Sequence, residues 1–236
     1  MLKALALMAL AACLAAGSTI YGYTGQDVTS SRDTQFLITA DTTDNNNTSS
    51  PPAEDPGPYP SDSFILTAAS VTGDGYVTLT LPAIAGGGHA SWVGPQANQD
   101  TGTTGGPING SNCCKGTTTY SVTFSLAGFN LPTTTLELIL AGDDSVTETL
   151  NGHAITTGAT TYSSTTTFGP TNESANLLAG TNTLVFTVNN SGGGPTGLDA
   201  FFELTDGLAT PEPQTFALAG LALACLGAFR FARRKA

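Results

Sequence analysis

Positive charge is scarce in this chain. Of its 236 residues only seven are Lys or Arg, and five of these, Lys3, Arg230, Arg233, Arg234 and Lys235, stand close to the two ends. Between the ends only Arg32 and Lys115 remain, against 18 acidic residues, or 17 without Glu212. The central chain therefore carries a net charge of −16 or −15, more negative than the formal −11 of the whole. Such a surface repels phosphate backbones, whose binding rests on Lys and Arg, so nucleic acid is excluded as a partner. Histidine is nearly as rare: His89 follows three glycines and His153 follows an Asn-Gly turn, both loop settings. Neither a Gly-x-Ser-x-Gly elbow nor a Cys–His arrangement with supporting context is present. No catalytic constellation and no cofactor motif can be read, and the chain is expected to be non-enzymatic.

Cysteine is sparse as well. Two of the four, Cys13 and Cys225, fall in apolar terminal segments, which leaves the adjacent pair Cys113-Cys114. None has zinc-ligand spacing. Neighbouring cysteines bridge one another only under strain, so a vicinal disulfide, two inter-chain bridges and two free thiols all stay open.

Long apolar runs occur only at the two ends. At the N-terminus Lys3 precedes an Ala- and Leu-rich stretch over 4–16, and small residues at Ala15 and Gly17 suit signal peptidase, with the mature chain starting near Ser18. Leu10-Ala11-Ala12-Cys13 also has the form of a lipobox, which would make Cys13 a lipidated N-terminus. Either way the chain is expected to leave the cytoplasm. At the C-terminus a polar stretch, Pro211-Glu212-Pro213-Gln214-Thr215, is followed by 14 apolar residues over 216–229 and then by Arg230, Arg233, Arg234 and Lys235. The run is shorter than the roughly 20 residues that span a bilayer comfortably, and the basic cluster adds an anchor on the cytoplasmic side.

This tripartite tail resembles the PEP-CTERM sorting signal of Gram-negative bacteria. The resemblance implies recognition at Pro211, Glu212 and Pro213 and processing by exosortase in the cytoplasmic membrane. It also implies a transient membrane intermediate and a final place at the cell surface or in the extracellular polysaccharide matrix, with exopolysaccharide as a candidate partner.

Between the ends lie short β-prone runs bounded by turn residues, with no long helical periodicity. The runs read as strands over 34–40, 64–70, 76–81, 118–126, 134–140, 146–150, 153–156, 163–168, 183–189 and 198–204. Several alternate apolar and polar residues, as Tyr120, Val122, Phe124 and Leu126 do, which places one face on a core. Asn151-Gly152 between two such runs is a strong hairpin signal. The Asn- and Pro-rich stretch over 41–62 reads as a flexible loop within one domain spanning 18–206. The expected fold is all-β, a two-sheet jelly-roll sandwich flanked by an N-terminal signal helix and a C-terminal transmembrane helix in 207–236.

From Phe64 to Leu204 the chain resembles the galactose-binding-like jelly-roll domains found in PEP-CTERM proteins. The landmarks, in order, are Ser91-Trp92-Val93-Gly94-Pro95, Gly128-Phe129-Asn130, Gly142-Asp143-Asp144-Ser145, Leu150-Asn151-Gly152, Ala179-Gly180-Thr181-Asn182 and Gly192-Gly193-Gly194-Pro195. Where the resemblance has an aromatic residue before the acidic pair, this chain has Leu140-Ala141-Gly142. Candidate glycan contacts are Trp92, the single tryptophan, with Asp143 and Asp144. An aromatic plane can stack on a sugar ring while a carboxylate accepts its hydroxyls, although a lone Trp in a sandwich also serves as core. Asp143, Asp144 and Glu148 could ligate calcium but lack a dense Asp-x-Asp-x-Asp spacing, and metal binding stays open.

Overall fold

Over 118–122 and 184–188 the side chains are alternately buried and partly exposed, the period-2 pattern of a strand with one face on a core. The computed structural model describes residues 18–29, 31–42, 60–66, 76–95, 115–155, 158–191 and 196–207. Among them lie β1 (Thr19–Tyr23), β2 (Val28–Thr29), β3 (Arg32–Asp41), β4 (Ser61–Ile65), β5 (Val93–Gly94) and β6 (Gly116–Ser125). β7 (Thr134–Asp143), β8 (Ser145–Leu150), β9 (His153–Ile155), β10 (Thr166–Asn172), β11 (Thr181–Asn190) and β12 (Gly197–Asp206) follow.

Hydrogen bonding runs through one antiparallel path, β10-β7-β12-β5-β4-β3-β6-β11-β8-β9, with β1 also on β12 and β2 on β3. β12 pairs along its whole length with β7, and β11 with β6. The middle of the path is thin: β5 offers two residues, Val93 facing Leu198 of β12 and Ile65 of β4, and Gly94 facing Phe64. Here the sheet folds back on itself. Phe124 of β6 and Phe202 of β12 stand four strands apart along the path, about 19 Å in a flat sheet, yet their ring centroids are 5.3 Å apart. The result is the expected all-β sandwich of two packed sheets, continuous through one hydrogen-bonded corner.

Between the layers lie Leu136, Leu138 and Leu140 of β7 and Leu198, Ala200, Phe202 and Leu204 of β12. They meet Phe36, Ile38, Tyr120, Val122, Leu184, Phe186 and Val188 from the other sheet. The β8–β9 hairpin turns on Asn151 (φ 52°) and Gly152 (φ 83°), the left-handed pair that a two-residue type I′ turn requires. One step earlier, a Cβ on Gly142 would overlap the Val146 side chain, so glycine lets β7 and β8 pass closely at their junction.

A second layer covers the outside of the β7–β12 sheet. Leu79, Leu81 and Ala90 pack on Phe201, with Tyr21, Tyr23 and Ile139 around them. The expected strand over 76–81 is here an extended segment whose bridge is the isolated Thr80–His89 pair. Its amides serve other partners, Leu79 N–H donating to Asp199 and Val77 N–H to the Tyr162 carbonyl. A short 3-10 turn over Ala83–Ala85 and the positive-φ glycines Gly86, Gly87 and Gly88 reverse the segment.

Several boundaries shift. β3 takes Asp41, and β4 takes Ser61 and Asp62, from the expected loop over 41–62, because these polar residues pair across to β6 and β3. β10 starts at Thr166, after a turn closed by the Thr161–Ser164 bridge, and carries Pro170 at the sheet edge, where a missing N–H leaves no ladder bond unmade. The short strands β1, β2 and β5 add to those read from sequence. The signal segment over 1–17, the tail from 208 onward, Cys113 and Cys114 lie outside the described residues. Among the described residues no helix is long and apolar enough to cross a membrane.

Phe202 is 1 % exposed and touches both layers. Phe202→Ala should therefore lower stability by about 3–5 kcal/mol, measured by urea denaturation. A loss below about 1 kcal/mol would show that the layers do not depend on this contact.

Candidate functional site

Three aromatic rings and an acidic pair gather where the 76–92 segment meets the start of β12. Trp92 is 2 % exposed, and its indole N–H donates to the Val77 carbonyl at 2.6 Å. Tyr76 meets it edge-on, with centroids 4.4 Å apart and planes at 83°. A Cβ on Gly197 would come within 3.1 Å of the indole Cε3. Trp92 is thus enclosed by Tyr76, Leu66, Ala141 and the Gly197 backbone, and its faces are taken up by packing. Of the two roles the sequence leaves open for Trp92, sugar stacking and core, its burial matches the core one, because the 76–92 segment folds over it.

Asp143 ends β7 on the outward side, where its Oδ2 accepts the Tyr76 hydroxyl at 2.5 Å. Asp144 turns elsewhere: its Oδ2 accepts both the N–H (2.9 Å) and the hydroxyl (2.7 Å) of Ser191 beyond β11. Glu148 is buried on β8 and pairs in register with Phe186. The three candidate calcium ligands are thus directed to different places, and among the described residues no group of three His, Cys, Asp or Glu is placed to hold a metal. The exposed member of the ring cluster is Tyr162, 38 % accessible and 5.4 Å from Tyr76 between centroids. Hydroxyls of Thr161, Ser163 and Ser164 cluster beside it.

Two buried carboxylates tie segments together. Asp199 is 0 % exposed; its Oδ2 accepts the Leu79 N–H at 2.9 Å and its Oδ1 the Thr24 hydroxyl at 3.2 Å. Thr24 in turn donates its N–H to the Ala200 carbonyl and accepts the Ser91 N–H. The end of β1, the 76–90 segment and β12 thus meet at one side chain. Burial raises the Asp199 pKa to about 6, although the Leu79 and Thr24 bonds and the nearby His89 oppose the shift. Asp33 is buried as well and accepts N–H bonds from Gly25, Gln35 and Phe36. Burial raises its pKa too, partly countered by those three amides.

The far end of β12 is the root of the C-terminal tail. Asp206 is 2 % exposed, and the next residue donates Gly207 N–H to the Thr133 carbonyl. Five residues on comes Pro211, within about 18 Å of extended chain. The sorting residues Pro211, Glu212, Pro213, Arg230, Arg233, Arg234 and Lys235 lie outside the described residues. The last described residue before them is Gly207.

Sequence reasoning missed Asp199, Asp206 and Tyr162. A signal for the first was present in Leu198-Asp199-Ala200-Phe201-Phe202: apolar residues on both parities mark a strand covered on both faces, and an Asp inside such a strand must be buried and bonded. Tyr162 carried no such signal.

Residues 209–235 match the family model for the PEP-CTERM protein-sorting motif. The match implies export, exosortase processing and surface sorting. No curated protein matches the chain. Among solved structures, a family 35 carbohydrate binding module from an environmental isolate is similar at 18 % identity and a TM-score of 0.28, over 47 % of this chain and 87 % of that one. At that TM-score the likeness carries no argument.

The fold binds the Asp199 proton more tightly than the unfolded chain, whose carboxyl titrates near the ordinary 3.8. Asp199 therefore leaves stability intact below about pH 4 and erodes it as pH rises to about 6, by on the order of 3 kcal/mol. Urea titrations should show wild-type stability falling by that order relative to Asp199→Asn across this window, with parallel curves above about pH 7. Curves parallel throughout would remove Asp199 as the titrating group.

Proposed function

We propose that this protein is a non-enzymatic component of the cell surface or extracellular polysaccharide matrix of a Gram-negative bacterium. The observation that carries the reading is the sorting motif over 209–235, which starts three residues after the last residue of the sandwich's final strand. Signal peptidase would cut the leader, the tail would hold the chain in the cytoplasmic membrane, and exosortase would release it from there. The non-enzymatic part is supported by how the polar groups are employed. His89, in the bridge to Thr80, and His153, the first residue of β9, are exposed, while Asp33, Asp143, Asp144 and Asp199 are hydrogen-bonded to the protein itself. Deleting the exosortase should leave a larger, membrane-retained form detectable by immunoblot of fractionated cells. Unchanged size and location would end this reading.

A second reading, a lectin-like module recognising a defined glycan, is favoured by Tyr162. Its exposed ring is backed by Tyr76, itself held by Asp143 and Trp92, an arrangement stiff enough to serve as a stacking surface. On a glycan array Tyr162→Ala should weaken binding at least about tenfold with the fold unchanged, within the range of an aromatic hot spot. Trp92→Ala should instead destabilise the domain by about 3–5 kcal/mol. No saturable binding by the wild type to any glycan would eliminate the lectin reading and leave the matrix reading in place.

A further inference from the structure

β1 and β12 run antiparallel from Thr19 opposite Thr205 to Tyr23 opposite Phe201. The chain therefore enters and leaves the sandwich at the same end. Just before this ladder the Ser18 nitrogen donates to Asp206 Oδ1 at 2.7 Å, and the Asp206 N–H donates back to the Ser18 carbonyl at 2.9 Å. Asp206 is 2 % exposed, so this carboxylate is withdrawn from bulk water and aimed at a backbone nitrogen.

That nitrogen changes character if the leader is cut before Ser18, as the small residues Ala15 and Gly17 suggest. Water adds across the Gly17–Ser18 peptide bond; Gly17 keeps the new carboxylate, and the Ser18 amine takes up a proton. A neutral amide with one N–H becomes an ammonium with three, at a separation already right for a charge-assisted bond. We propose that leader removal creates an ion pair between the Ser18 α-ammonium and Asp206, fastening β1 to β12 at the root of the sorting tail. The proposal rests on the export reading for the position of the cut; the chemistry of the pair does not.

The other titratable side chains on the three strands packed here are Tyr21 and Tyr23 on β1, Asp199 and Glu203 on β12, and Glu137 and Asp143 on β7. None is cationic, so the new ammonium is the one positive group these strands offer Asp206. Because the pair raises the amine pKa in the fold, its contribution is complete below the unfolded value of about 8 and is lost as pH climbs through the higher folded value.

The test uses the chain from Ser18 to Ala236 in detergent, with the Ser18 amine free or acetylated, each with native Asp206 or with Asp206→Asn. Unfolding is followed by the fluorescence of Trp92, the single tryptophan and a buried one. The free amine should raise the folding equilibrium constant of the native chain on the order of tenfold at pH 7. The gain should fade toward pH 9 and vanish in Asp206→Asn. Equal stability of the free and acetylated chains at pH 7 would overturn the proposal, as would an equal gain in both backgrounds. If Asp206→Asn does not fold, the acetylation comparison and its pH profile on native Asp206 decide alone. Intact mass of the secreted protein tests the premise separately: a first residue other than Ser18 overturns the site of the cut, whatever the stability comparison returns.

Discussion

From Gly197 to Phe202 every residue of β12 is buried, and this double coverage is the constraint on which the rest of the molecule depends. One face supplies Leu198, Ala200 and Phe202 to the space between the sheets. The other supplies Asp199 and Phe201, which cannot face water and so need a cover. The 76–90 segment is that cover, fixed by the Leu79 N–H on Asp199 and by apolar contact with Phe201. β12 also pairs laterally with β7, β1 and β5. A strand with neighbours in four directions has little freedom to shift register, and the strands that fix it inherit that rigidity.

The long strands were legible because alternation is a local property. β6 and β11 show it over most of their length, and Asn151-Gly152 marks its hairpin with the two residue types a left-handed turn favours. What was not legible depends on partners far away in sequence. β1, with Gly22 lying against Phe202 and Gln35, is too short to declare itself and is defined by the distant strand it joins, with Thr19 opposite Thr205 and Tyr23 opposite Phe201. The 76–81 run has the composition of a strand but directs its amides to Asp199 and Tyr162, which no periodicity can announce. Trp92 is the same lesson at the site: a motif can identify the residue, but only the covering segment decides whether its ring meets solvent.

The polar interior shows where the buried carboxyl and amide groups of the described residues are employed. Asp33 collects three backbone amides, Asp199 joins three segments, and Asn182 holds the turn before β11 through Leu178 and Gly180. Each compensates for desolvation with bonds to the chain itself. The information about destination is kept apart from this interior, in a tail that leaves from Asp206 and takes most of the chain's cations with it.

The edges of the sheet path have a consequence for life outside the cell. A Thr-rich set of strands invites fibrillar stacking through any open ladder. At one border β10 interrupts its ladder with a bulge between Phe168 and Thr171 and places Pro170 within it. At the other, the described residues of β9 pair with β8 at three positions, His153 to Ile155. Among the described residues neither end of the path offers a long, regular template, so the same features that look like imperfections of the sandwich disfavour edge-to-edge pairing of neighbouring copies there.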